Sequence, residues 1–198
     1  MEKTLTLELH ELFNSEKLTR YSYPFSSKGF PTNGVYIFFE KGETITTHDG
    51  KILDRIVRVG THEKDDNLYK RLKQHFTGNI ISSIFRKDIG EALSTDKETD
   101  KTYKEEEISK YMRENLSFVV FEVETEAERL CWEERIVFTL SKAVILGQIS
   151  PSKKWLGNKS SKGKIRRSGL WQVEGIYIEE LDKAGISKLM QIVGKESK

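Results

Sequence analysis

Hydrophobic positions along the chain repeat with two periods. Residues 34–40, GVYIFFE, form a β-branched and aromatic run bounded by Asn-Gly and Lys-Gly, which predicts a strand. β-branched residues alternate through the next stretch, ETITTHDGKI, where Asp49-Gly50 supplies a hairpin turn. DRIVRVG, residues 54–60, is then a second strand, and SFVVFEV, residues 117–123, a third. Helical spacing occupies the stretches between and around them. It predicts helices over 7–15, about 67–76, 82–93, 105–115 and 179–193. Asp65 and Asp66 suit the N-terminus of the second of these. Ile108, Tyr111 and Met112 share a face of the fourth. Thr125 with Glu128 matches a capping box and opens a further helix that runs to about Lys142. SYPFSSKGFPTNG and STDKETDK read as loops, and no tandem repeat is present. Three strands among several helices predict an α+β fold, with helices packed on a small sheet.

The 198 residues suit one domain, 1–198, with a real core. With 36% apolar and 32% charged residues, the chain reads as a soluble, rather polar globular protein. It has no apolar run of the length a membrane span needs, about 18 residues. Its N-terminal stretch has no signal-peptide core. The single Cys131 excludes an internal disulfide framework and fits a reducing, cytoplasmic setting. The four histidines are scattered and show no zinc-site spacing. The net charge of +2 is unevenly spread. Between Ala143 and Val173 there is no acid, while Lys153, Lys154, Lys159, Lys162, Lys164, Arg166 and Arg167 are present. Such a segment is either a solvated loop or a phosphate-contacting surface.

Leu68, Tyr69, Leu72 and Phe76 form the apolar stripe of the 67–76 helix. Arg71 and His75 stand on its flank at i and i+4, so both side chains can reach one point at the edge of the buried face. Taken alone, the pair also suits an ordinary amphipathic helix.

What precedes the pair adds meaning. Gly34-Val35-Tyr36 lies on the first strand, Arg58-Val59-Gly60 on the second, and Arg71-x-x-x-His75 on the helix that follows. This order resembles the GIY-YIG nuclease family, whose elements are a Gly-Ile-Tyr strand, a Tyr-Ile-Gly strand, an Arg-x-x-x-His helix and a later helix with a metal-binding Glu. The resemblance covers roughly residues 33–158. It implies a small α/β sandwich around a three-stranded antiparallel sheet flanked by helices, with 1–32 as an N-terminal extension and 159–198 as a basic segment and C-terminal helix. Arg58 departs from the pattern by replacing the family's second tyrosine. It puts a permanent cation where the family has a phenol, and could contact a phosphate, favour ionisation of Tyr36 or mark lost activity. A second triplet, Gly175-Ile176-Tyr177, has too little chain after it to carry the remaining motifs and reads as a chance match.

The Glu-bearing helix is TEAERLCWEERIVFTLSK, residues 125–142. Ala127, Leu130, Cys131, Val137 and Phe138 form one apolar side, widened by Trp132, Ile136 and Leu140. Glu133 and Glu134 both project between apolar neighbours, where a carboxylate needs a metal or a basic partner such as Arg129 or Arg135. Periodicity does not choose between them. The resemblance favours Glu133, because Ile136, Val137 and Leu140 follow it at the family's apolar spacing. It also places an Asn beyond this helix, for which Asn158 stands in roughly the right position. Trp155 and Trp171 suit either core packing or base stacking, and core is the commoner use.

The resemblance thus implies a metal-dependent DNA endonuclease. Tyr36 would act as base with help from His75. Arg71 would contact the scissile phosphate, with Arg58 nearby, and Glu133 would hold one Mg²⁺ or Mn²⁺. The basic segment, Lys153 to Arg167 with Asn158, would grip flanking phosphates. A phenol ionises near pH 10 on its own, so a tyrosine base needs positive charge beside it. By analogy, the restriction or defence type fits better than a homing enzyme, and cutting both strands makes a homodimer one expectation. Two other readings stay open. One is a relative that binds nucleic acid without cutting, and the other an unrelated α+β interaction protein.

Overall fold

A four-stranded antiparallel sheet divides the core into two halves. The computed structural model describes residues 4–94, 104–172 and 179–195. Within them the strands are β1 (Tyr21–Ser22), β2 (Gly34–Thr46), β3 (Ile52–Gly60) and β4 (Leu116–Glu122), in the order β1-β4-β2-β3. The three strands predicted from patterning are all present. The fourth, β1, is only two residues long and sits in a stretch of turn formers, so it carries no period to read. It is held by pairing with β4 and by the Tyr21 ring stacking on Phe118, centroids 5.5 Å apart. β2 runs beyond the predicted Glu40 to Thr46, with register irregularities against β3 between Phe38 and Thr44. The Asp49-Gly50 turn closes the hairpin as expected. Gly50 takes a φ of +83°, and the Thr47 N–H donates to Lys51 O at 2.8 Å.

β2 is apolar on both faces because both faces are covered. Val35, Ile37 and Phe39 point to a layer formed by α1 (Leu5–Phe13), α5 (Glu126–Ile145) and α7 (Lys183–Lys195). Tyr36 and Phe38 point to the opposite layer of α2 (Leu68–Thr77), α3 (Ile84–Leu93) and α4 (Glu105–Asn115). The basic segment joins this second layer through a 3₁₀ turn over Leu156–Lys159 and the short α6 (Gly163–Ser168), neither of which hydrophobic spacing signalled. The fold is therefore α+β with helices on both sides of a small antiparallel sheet.

Several helices start at side-chain caps. Thr4 and Thr125 accept backbone N–H groups as N-caps of α1 and α5. Asp182 accepts the Gly185 N–H at 2.7 Å, so α7 begins later than its hydrophobic spacing implies. Residues 173–178, which include the Gly175-Ile176-Tyr177 triplet, lie outside the described residues, as does the 95–103 part of the charged loop. No helix of the described residues is long and apolar enough to cross a membrane.

One expectation needs correction. The buried face of α5 is Arg129, Trp132, Ile136, Leu140 and Ala143, with Val137 beside it. Ala127 and Cys131 are exposed, and Leu130 is 41% exposed. Trp132, Ile136 and Leu140 recur four residues apart and set the inward face, and Arg129 continues it towards the N-terminus, its guanidinium donating to Asp65 at 2.8 Å and to the Glu124 carbonyl. Trp155 and Trp171 are core residues, as expected.

Candidate active site

Tyr36 sits near the start of β2, directly opposite Gly60 at the end of β3. That pairing accounts for the glycine. A Cβ at position 60 would lie 2.4 Å from three atoms of the Tyr36 ring, including its hydroxyl oxygen, so only a residue without one lets the ring lie there. Leu68, Leu72 and Phe76 of α2 are fully buried against this face of the sheet. Their docking carries His75 to Tyr36, with the hydroxyl and Nε2 3.0 Å apart. The other ring nitrogen, Nδ1, is 2.8 Å from Ser83 Oγ. Ser83 is the N-cap of α3 and accepts the Arg86 N–H at 3.2 Å. The Arg86 guanidinium donates to the His75 carbonyl at 3.0 Å, to Glu105 at 2.7 Å and to Ser109 at 2.8 Å, tying the end of α2 to α4. Full burial, and then the charges of Arg58, Arg71 and Arg86, hold the His75 pKa well below the usual histidine range, so the ring is neutral.

The Tyr36 ring forms part of the wall of a cleft of about 490 Å³. Arg58, Arg71, Asp88, Glu133 and Gln172 line it too, with Lys64, Lys70 and His62 from the connection after β3 and the start of α2. Arg58 donates to the Trp171 carbonyl and stacks over Phe85 at 4.7 Å. Arg71 donates to the Ser82 carbonyl at 3.0 Å. Gln172 donates to Glu133 Oε1 at 3.1 Å. Burial pushes the Glu133 carboxyl above its ordinary pKa, against the pull of Arg58, Gln172 and Arg71 and with a smaller push from Glu134. Four residues expected from the sequence, Tyr36, Arg58, Arg71 and Glu133, thus meet in one cleft, with His75 behind the first.

A family model described as the GIY-YIG domain matches residues 9–198. The chain belongs to the GIY-YIG family. No curated protein and no solved structure gives a significant match. A GIY-YIG domain is a nuclease domain, and GIY-YIG nucleases act on DNA. In this GIY-YIG protein the second motif keeps its glycine, Gly60, against the Tyr36 ring. Its first position is the buried, cleft-lining Arg58.

The cleft of this GIY-YIG domain suits a hard divalent cation. Only Gln172 donates to Glu133 among the described residues, which leaves the carboxylate further acceptor capacity. The amide oxygen of Gln172 is itself buried and has no hydrogen-bond partner among the described residues. Carboxylate and amide oxygens are the ligand types Mg²⁺ prefers, and Mg²⁺ fills its remaining positions with water and substrate oxygens. Among the described residues no cluster of three or more His, Cys, Asp or Glu side chains could hold a metal, so protein ligands alone do not enclose one. Glu134 does not line the cleft, and the neighbouring arginines are engaged elsewhere, Arg129 with Asp65 and Arg135 with Asp182 at 3.5 Å.

Other expected residues stand apart from the cleft. Asn158 is exposed and donates to the carbonyls of Ser152 and Lys153 at 2.9 and 3.4 Å, closing its own turn. The amide in the cleft is that of Gln172. Lys153, Lys154, Lys159, Lys164, Arg166 and Arg167 are exposed and do not line the cleft. Arg166 donates to the Ser160 carbonyl. Lys162 pairs with Asp88, a buried carboxylate whose other oxygen has no hydrogen-bond partner among the described residues and whose pKa is raised by burial. Patterning did not single out Gln172, Asp88, Ser83 or His62. Gln172 and Asp88 are polar residues in stretches with no chemical motif, and Ser83 has only a helix-cap signature.

Proposed function

We propose that this protein is a metal-dependent DNA endonuclease. The observation that carries the reading is the convergence of a strand tyrosine, two arginines and a carboxylate–amide pair on one cleft. Phosphodiester hydrolysis needs a base for water, positive charge at the non-bridging oxygens and stabilisation of the leaving oxygen. Tyr36, as phenolate beside Arg58 and Arg71, takes the proton of the attacking water as its oxygen bonds to phosphorus. The P–O3′ bond breaks, and the 3′-oxygen acquires a proton from solvent. Arg71 offers its guanidinium to a non-bridging oxygen, geometry that suits a planar fork of donors. Glu133 and Gln172 would hold the divalent cation, which when bound supplies charge stabilisation at the leaving oxygen. Lys64 and Lys70 at the rim, with the exposed lysines and arginines of the basic segment, would contact flanking phosphates without reading sequence.

The test is relaxation of supercoiled plasmid by the purified protein. Nicking with Mg²⁺ that EDTA abolishes supports the reading. A second reading, a relative that binds DNA without cutting, is motivated by Arg58 in the place of the family's tyrosine. Salt-sensitive DNA binding with no nicking at any Mg²⁺ or Mn²⁺ concentration would favour it.

A further inference from the structure

We infer that Ser83 is a positioning residue that fixes the tautomer of His75, so that the imidazole donates its Nε2–H to the Tyr36 oxygen instead of accepting the phenol's proton. Hydrogen-bond satisfaction at Ser83 decides the tautomer. Among the described residues Ser83 Oγ has two partners, the Arg86 N–H at 3.2 Å and His75 Nδ1 at 2.8 Å. Ser83 is 1% exposed, so water does not serve its hydroxyl. The backbone N–H occupies the oxygen as an acceptor, and the hydroxyl hydrogen then has one available acceptor, Nδ1. If Nδ1 carried the proton instead, Ser83 would receive two donors and its own buried hydrogen would be left without a partner, an arrangement folded proteins avoid. With Nδ1 accepting, the single proton of the neutral ring sits on Nε2, 3.0 Å from the Tyr36 oxygen, whose own hydrogen turns to the cleft that Tyr36 lines and Ser83 does not.

The other two buried histidines show the opposite pattern. His10 Nδ1 faces the Thr6 carbonyl at 2.8 Å, and its Nε2 accepts the Ile56 N–H. His62 Nδ1 faces the Lys64 carbonyl at 2.6 Å, and its Nε2 accepts the Gly34 N–H. Backbone partners therefore make both of these Nδ1–H tautomers, and His75 differs because its partner is the hydroxyl of a helix cap.

The consequence rests on the nuclease reading. A phenolate at Tyr36 receives a hydrogen bond from His75 Nε2–H, and the proton it gave up leaves towards the cleft. Arg58 from β3, Arg71 from α2, Arg86 and Asp88 from α3 and Glu133 from α5 surround the pair, with Glu63, Lys64 and Lys70 along the same cleft.

Two measurements test the inference. Long-range ¹H–¹⁵N NMR of the ¹⁵N-labelled protein, with His75 assigned through His75→Gln, should show an Nε2-protonated ring beside two Nδ1-protonated ones. A His75 ring protonated at Nδ1 overturns the inference whether or not the protein cuts DNA. In folded Ser83→Ala the His75 ring should lose its Nε2–H preference in the same NMR experiment, and plasmid nicking should fall roughly tenfold. Ser83→Thr, which keeps the hydroxyl, should restore both. An Nε2-protonated ring with wild-type nicking in folded Ser83→Ala would refute the role. Absence of nicking in the wild type would instead count against the nuclease reading, and the NMR result would still decide the tautomer.

Discussion

The Tyr36 ring lies against Gly60 so closely that a Cβ on the glycine would come within 2.4 Å of the ring carbons and the hydroxyl oxygen. The two residues face each other across the β2–β3 ladder, and Tyr36 is 1% exposed, so the ring has no free space to move into. Gly60→Ala should therefore displace the hydroxyl from His75 and from the cleft together. We expect a loss of about 1–3 kcal/mol in urea denaturation, as for overpacked cores. Nicking should fall on the order of a hundredfold, as for a base misplaced by about an ångström. Unchanged nicking would mean that the ring position does not matter to the chemistry.

Arg58 acts on Glu133 through charge. It opposes the burial that raises the Glu133 pKa, so Arg58→Ala should push that carboxyl further up. A carboxylate needed in its ionised form then appears only at higher pH. The acidic limb of the nicking profile should shift upward, and more Mg²⁺ should be needed for half-maximal rate. An acidic limb that stays in place would show that Arg58 does not hold the carboxylate ionised.

Glu40 anchors the basic segment to the sheet. Its Oε2 accepts the indole N–H groups of Trp155 and Trp171 at 3.1 and 2.8 Å, and its Oε1 accepts the Tyr111 hydroxyl. Trp171 in turn holds Arg58 through its carbonyl. Glu40→Ala leaves three donors without their acceptor, which should cost about 3 kcal/mol or more, since each orphaned buried group costs about 1–3 kcal/mol. Urea denaturation measures this, and a change below about 1 kcal/mol would contradict it.

His10 gives the fold a dependence on acid. Burial, with a smaller contribution from Arg55, lowers its pKa to about 4, although the Thr6 carbonyl opposes the shift. The unfolded chain titrates near 6.5, so below that pH it binds a proton that the folded state refuses. Stability contributed by the neutral ring is complete above about pH 6.5 and is lost as the pH falls towards about 4. His10→Gln removes this titration. From pH 7 to pH 5 the wild type should lose about 2 kcal/mol more than the variant. His75, shifted the same way, adds to the acid sensitivity of both proteins equally.

Positions tied to regular spacing were legible in the sequence. Tyr36 stands at a set place on a strand, and Arg71 with His75 at i and i+4 on a helix, so the pairing of strand and helix already implied their meeting. Contacts made by tertiary packing were not legible. Gln172 reaches Glu133 across 39 residues of chain, and Glu40 reaches Trp171 across 131, with no periodicity to announce either. Apolar spacing gave Glu133 and Glu134 equal standing on α5. The burial of Trp132, Ile136 and Leu140 orients the helix so that Glu133 lines the cleft and Glu134 does not. Asn158 was a fair match by position, but its amide closes a local turn, as Asn side chains commonly do.

The central claim is that Tyr36 and Glu133 carry out metal-dependent cleavage in one cleft. The most direct measurement is the Mg²⁺-dependent nicking rate of supercoiled plasmid by wild type, Tyr36→Phe and Glu133→Ala, each shown to be folded. We expect both variants to lose about 10²–10⁴-fold in rate, the usual contribution of a positioned acid or base, with DNA binding retained by Tyr36→Phe. Metal-dependent nicking at the wild-type rate in either variant would contradict the account.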